Sequence, residues 1–181
     1  MTTTWRRVLP NLTALLLGLL CLTRGLGAES PLRPTGLPVR VQWSGDLQRH
    51  ASRMVQRSPT FRSQLERLRN ADGLAVTVRL DLAIDQRSYR ARSVIRRLRN
   101  GEMVATVAIG PQGSPVEWIA HEFEHILEQL DGLHLPSLAG RINGIWRSGS
   151  GEMFETDRAI RVGRVVVGEM RAAKRSDILV E

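Results

Sequence analysis

Two segments ahead of the first predicted strand carry apolar residues at helical spacing. The first helix is expected over residues 46–57. The second is expected to begin at Ser58-Pro59 and to continue to about residue 70. A serine cap followed by proline is typical of a helix N-terminus, because the fixed φ of proline suits the first helical position. Residues 46–73 should therefore form an N-terminal helical part.

Alternation of apolar and polar residues predicts three strands before residue 110. The first covers residues 74–84, and its apolar positions share one face: Val76, Val78, Leu80 and Leu82. The next two cover residues 94–99 and Met103–Ile109. They are expected to form a hairpin, because Asn100-Gly101 between them is the preferred two-residue turn.

A further helix is predicted over residues 115–130, between Ser114-Pro115 and Asp131-Gly132. Residues 132–151 are rich in glycine and are predicted to be mostly loop. A last helix is expected over residues 152–173. Helices, then antiparallel strands, then helices indicate the α+β class. We expect one domain over residues 46–181, with its core at 74–173, preceded by a linker at 29–45.

The first 28 residues have the features of a signal peptide. Arg6 and Arg7 provide a positive start, residues 8–22 are mostly apolar, and Gly27-Ala28 offers a cleavage site. The apolar run is shorter than the roughly 18–20 residues that a spanning helix needs. We therefore expect an exported protein, periplasmic or secreted, with an uncleaved membrane anchor as the alternative.

Charge and cysteine content exclude several functions. Without the three arginines of the predicted signal peptide, 23 basic and 18 acidic residues remain, so the net charge falls from +8 to +5. Aromatic residues make up only 4% of the chain, so few aromatic side chains could stack on nucleic-acid bases beside the basic residues. We therefore expect no nucleic-acid partner. Cys21 is the only cysteine, so neither a disulfide nor a cysteine nucleophile is expected in the mature chain.

The motif that carries chemistry is His121-Glu122-Phe-Glu-His125 on the predicted helix at 115–130. Residues four apart lie on one helix face, so both imidazoles can bind one zinc ion. Glu122 is adjacent to His121 and can accept a proton from a water molecule at the zinc. The apolar residues of this helix gather on the opposite face, so the helix can bury one side and present both histidines on the other.

A catalytic zinc site needs a third protein ligand, and four acids compete for that place. Asp131 and Glu128 follow the motif closely, and Glu152 and Glu155 are further along the chain. Glu155 is preferred, because on a helix at 152–173 it would align with a stripe of small and apolar residues that includes Ala159 and Gly163. A buried carboxylate on that stripe would need a partner such as zinc. The predicted metal ligands are thus His121, His125 and Glu155.

The motif, followed about 30 residues later by Phe154-Glu155-Thr-Asp-Arg-Ala159, resembles the gluzincin branch of the zincin metallopeptidases. The resemblance implies a small antiparallel or mixed sheet packed on the active-site helix, with helices on either side in sequence. It also implies a Zn²⁺-dependent hydrolase that cleaves peptide or protein substrates with Glu122 as the general base. By the same resemblance, Met103–Ile109 would line the substrate groove as the edge strand. Neither Tyr89 nor His134 stands out as a stabiliser of the oxyanion.

Two other functions stay open. The chain could be a zincin-like zinc-binding or interaction module of the cell envelope with weak or no catalysis. It could also be an arginine-rich envelope protein that binds anionic lipids or polymers, with the motif incidental.

Overall fold

The computed structural model describes residues 40–84, 89–148 and 153–178. These residues form a mixed sheet, a separate two-stranded hairpin and five helices. In chain order the elements are β1 (Val41–Trp43), α1 (Gly45–Arg57), α2 (Pro59–Asn70), β2 (Leu74–Leu80), β3 (Ala91–Arg97), β4 (Met103–Ile109), α3 (Pro115–Leu130), α4 (Leu135–Leu138), β5 (Ile145–Ser148), β6 (Met153–Thr156) and α5 (Asp157–Ile178). The expected α+β class is confirmed.

The four-stranded sheet has the order β1-β2-β4-β3. Strands β1, β2 and β4 are parallel, and β3 is antiparallel to β4 at one edge. Buried side chains of β2 alternate with more exposed ones, and those of β4 do so as far as Val107, as expected for a sheet with one covered face. The covered face packs against the helices, and α3 contributes the apolar residues Ile119, Phe123, Ile126 and Leu127 to this core.

Strand β1 lies within the segment that the sequence predicted to be a linker. It has only three residues, too few to show an alternating pattern, and it forms because Val41 pairs with Val76 and Trp43 with Val78. The expected strand over residues 74–84 ends at Leu80 instead. Asp81 begins a turn, because its side chain accepts a hydrogen bond from the Ala83 backbone N–H at 3.1 Å.

The β3–β4 hairpin is confirmed, but its turn has three residues rather than two. The Leu98 N–H donates to the Glu102 carbonyl at 2.7 Å, and the Gly101 N–H donates to the Leu98 carbonyl at 3.0 Å. Gly101 has a φ of 87°, which glycine adopts without steric cost. The longer turn pairs Arg97 with Met103, and β3 occupies Ala91–Arg97 and not residues 94–99.

The last helix begins at Asp157, five residues later than the sequence predicted. Residues Met153–Thr156 instead form β6, which pairs with β5, and Glu155 lies opposite Trp146 in this hairpin. Thr156 caps the helix, since its hydroxyl accepts a hydrogen bond from the Ala159 N–H at 3.0 Å. Glu155 is therefore a strand residue just ahead of α5.

Helix α5 packs closely on α3 through small residues. Ala159 is fully buried, and a Cβ atom added at Gly163 would lie 3.1 Å from the Glu117 carbonyl oxygen and 3.4 Å from the Cβ of His121. This approach places the start of α5, and β6 before it, beside the face of α3 that carries the histidines.

Buried polar contacts fix α2 against α3 and α5. The Gln64 amide donates to the Ala120 carbonyl at 2.9 Å and to the Glu124 carboxylate at 2.7 Å. Glu169 of α5 accepts hydrogen bonds from the hydroxyls of Ser58 and Thr60 at the start of α2. The N-terminal helices are therefore part of the same core as the sheet and α3.

Among the described residues, no helix is both long enough and apolar enough to span a bilayer. The predicted signal peptide lies outside the described residues.

Replacing Gly163 with valine should destabilise the fold by about 1–3 kcal/mol, because the new side chain must displace the α3 backbone. Gly168→Val is the matched control, since a Cβ atom at Gly168 on the same helix meets nothing within 4 Å. The free energy of unfolding in denaturant measures both variants. Equal stabilities for the two variants would contradict close packing at Gly163.

Candidate metal centre

The sequence favours a helix start at Ser114-Pro115, and α3 buries the motif from His121 to His125. Ser114 is the cap residue, and Pro115 occupies the first turn. His121, Glu122 and His125 are each only 5–6% exposed. The helix thus places two imidazoles and a carboxylate in a low-dielectric environment, where each of them needs a partner.

Glu155 of β6 meets both histidines. Its Oε1 atom lies 3.2 Å from Nε2 of His121 and 3.5 Å from Nε2 of His125, and the two imidazole ring centroids are 4.9 Å apart. One donor atom from each of the three residues lies within 4.8 Å of the others. Two imidazole nitrogens and a carboxylate oxygen at this separation could hold a metal ion.

Glu128 is placed behind His125 and not among the three donors. It is 1% exposed, and its Oε2 atom lies 2.9 Å from Nδ1 of His125. Its Oε1 atom accepts a hydrogen bond from the Thr156 hydroxyl at 2.6 Å. A carboxylate on Nδ1 fixes the orientation of the ring and leaves Nε2 available to a metal.

The structure separates Asp131 from the centre, because that carboxylate forms ion pairs with Arg67 and Arg158. Glu152, the fourth candidate ligand, lies outside the described residues. Of the three acids that the structure describes, Glu155 is the one that contacts Nε2 of both histidines.

The charged groups of the centre shift one another's pKa values. Burial alone would lower the pKa of His125, but its hydrogen bonds with Glu128 and Glu155 outweigh burial and raise that pKa to about 10. Burial alone would raise the pKa of Glu155, but its hydrogen bonds with His121 and His125 lower it to about 2. The carboxylates therefore favour positive charge among the three donors, which is the environment that a cation site needs.

Glu122 has a different environment from Glu128 and Glu155. Burial raises the pKa of its carboxyl group, although the two nearby histidines and the Ser93 hydroxyl act in the opposite direction. The carboxyl group lies beside the three donors without being one of them. A carboxyl group with a raised pKa is better suited to accept a proton at neutral pH than an ordinary glutamate.

The three donors and Glu122 open onto a cavity of about 440 Å³. Its walls come from β3, α3, the turn at the start of α4, and the β5–β6 hairpin. Besides the centre itself, residues at the wall include Ser93, Ile95, Gln129, Leu135, Met153 and Phe154. Tyr89 and His134 also line this cavity, so both are close enough to contact a ligand bound there.

The expectation that Met103–Ile109 forms the edge strand beside the groove is wrong. That segment is β4, which lies between β2 and β3. The edge strand at the cavity is β3, and its residues from Ala91 to Ile95 line the wall. Sequence reasoning missed Ser93 as a neighbour of Glu122, because one serine in a strand carries no signal of its own.

Replacing Glu128 with glutamine should lower the affinity of the centre for a divalent metal ion by about tenfold or more. The glutamine side chain has the same shape as that of Glu128 but lacks its negative charge beside Nδ1 of His125. Titration against a competing chromophoric chelator measures the affinity. Glu66→Gln, an exposed change on α2, removes the same charge as a control, and an equal effect of both variants would contradict a specific role for Glu128.

No family model matches this chain, and neither a curated protein nor a solved structure matches it.

Proposed function

We propose that this protein is a zinc-dependent metallopeptidase that hydrolyses peptide bonds at the centre formed by His121, His125 and Glu155. The observation that carries the proposal is the convergence of these three donor atoms within 4.8 Å, beside a buried glutamate and an open cavity. A closed site with four protein ligands would instead be typical of structural zinc.

The donor set fits zinc. Nε2 of both histidines and one carboxylate oxygen match the ligand types of catalytic zinc sites, which keep a further position for water or substrate. When bound, zinc would supply a Lewis acid that polarises a carbonyl group and lowers the pKa of a water molecule. The His125–Glu128–Thr156 hydrogen bonds would hold one ligand ring in place during the reaction.

Glu122 would act as the general base. It would take a proton from the attacking water and pass it to the leaving amine, so its carboxyl group must be buried yet reachable from the cavity. Its 5% exposure and its position on the cavity wall meet both conditions. The Ser93 hydroxyl, which also lines the cavity, would hold the carboxylate in orientation through a hydrogen bond.

The substrate would lie along β3. Among the described residues, β3 pairs with a strand on one side only, so its other side offers free backbone N–H and C=O groups at the cavity. An extended peptide can add to such an edge by backbone hydrogen bonding. An exported location, as the N-terminal sequence suggests, would give the enzyme access to peptides outside the cytoplasm.

Glu122→Gln should leave zinc binding intact and lower kcat for peptide hydrolysis by about 100- to 10,000-fold, because glutamine cannot accept the proton. Cleavage of a mixed peptide library, followed by mass spectrometry, measures hydrolysis, and metal analysis measures zinc. Full activity in this variant would refute the proposed role. A wild-type protein that binds zinc but cleaves no peptide would instead favour a zinc-binding module.

His121→Ala and His125→Ala should each lose bound zinc, and with it hydrolysis, because each removes one of three ligands. His50→Ala on α1 serves as the control, since His50 is not among the three donor residues. Metal analysis of the purified proteins should give about one zinc per chain in the wild type and in the control. Removal of zinc from the wild type by a chelator should abolish activity, and added zinc should restore it.

A further inference from the structure

Strand β3 and the turn after it are strongly basic. Between Arg90 and Glu102 the chain carries five arginines and one acid, Glu102 itself. Two of the arginines have neighbours, since Arg90 stacks over Trp118 and Arg92 pairs with Asp81. The other three have no ion-pair or hydrogen-bond partner among the described residues: Arg96, Arg97 and Arg99. This end of β3 therefore presents unneutralised positive charge.

The basic end is continuous with the cavity. Residues Ala91 to Ile95 line its wall, and Arg96 and Arg97 follow directly along the same edge strand. Ser93 of β3 and Glu122 both line this cavity, so under the proposed function they mark where the scissile bond would pass. At about 3.3 Å per strand residue, Arg96 and Arg97 lie about 10–13 Å further along.

The two arginines point to opposite sides of the sheet. Arg97 pairs with Met103, whose side chain is on the covered face, and Arg96 pairs with Val104 on the open face. A peptide added to the free edge would have side chains alternating in the same way. Each arginine would thus neighbour a different side chain of the peptide, and opposite charges at such cross-strand positions attract.

We propose that β3 selects extended peptides with acidic side chains three or four residues from the scissile bond, on the side of Arg96 and Arg97. The selection depends on the proposed function, because it assumes that the substrate lies along this edge. The backbone N–H and C=O groups along the outer edge of β3 favour a peptide over an anionic lipid. An extended peptide can pair with these groups, whereas a lipid headgroup has no backbone to do so.

Matched peptides test the proposal. They share one core and differ only at positions three and four residues from the cleaved bond, on either side, with Asp or Glu replaced by Asn or Gln. On the zinc-loaded full chain, the acidic peptide should have a kcat/KM about three- to tenfold higher than the amide peptide. The ratio should shrink between about 0.01 M and about 1 M salt, as the Debye length falls from about 30 Å to about 3 Å.

The double variant Arg96→Gln/Arg97→Gln should bring this ratio close to one. Arg53→Gln/Arg171→Gln changes the net charge equally at exposed positions on α1 and α5, and it should leave the ratio unchanged. Equal ratios in the wild type and in the β3 variant would overturn the proposal. So would a β3 variant whose only change is increased self-association, because the arginines would then merely protect an edge strand.

Binding separates this proposal from the proposed function. Zinc-loaded Glu122→Gln should bind the labelled acidic peptide more tightly than the amide peptide by a similar factor, measured by fluorescence anisotropy. If the wild type cleaves no peptide but this preference is present, the proposed function fails and the selection stands. Absence of a preference, together with Arg96- and Arg97-dependent binding to vesicles containing phosphatidylserine, would assign the basic end to a membrane surface and overturn the proposal.

Discussion

The charged groups that α3 buries determine how the neighbouring elements are placed around it. Between residues 121 and 128, α3 buries two imidazoles and three carboxylates. A buried charge without a partner costs several kcal/mol, so each of these groups must be satisfied by another part of the chain. The partners come from α2, β3, β6 and α5. The elements around α3 are therefore positioned by polar contacts as well as by the apolar core.

The candidate centre could be predicted largely from local sequence, because its chemistry is concentrated on one helix. The spacing of His121 and His125 is enough to place both rings on one face, and the Ser114-Pro115 signal is enough to place the helix. Glu155 was harder to predict. The sequence pattern places it on a helical stripe with Ala159 and Gly163, which do lie on α5, but Glu155 itself lies on a strand. Its conformation depends on pairing with Trp146, and the local pattern around Glu155 contains no sign of that pairing.

The sheet order could not be predicted from local patterns, and this explains the misplaced substrate strand. A hairpin of β3 and β4 looks the same in sequence whichever strand is at the edge. Strand β3 lies at the edge because β2 pairs in parallel with β4 over seven residues. Parallel pairing joins segments distant in sequence, since β2 and β4 are separated by the whole of β3. The three-residue strand β1 was missed for the same reason, because its conformation depends on β2.

The three buried carboxylates of α3 differ in a way that bears on the proposed catalysis. Glu124 accepts hydrogen bonds from Gln64 and Arg158, and Glu128 accepts them from His125 and Thr156. Both thus hold neighbouring elements together. Glu122 is equally buried but faces the cavity, where its raised pKa suits proton transfer. A module that only stored a metal would need His121, His125 and Glu155 as ligands, and Glu122 is not one of these donors. In the proposed function this carboxylate is the proton acceptor, which is a role that metal storage alone would not require.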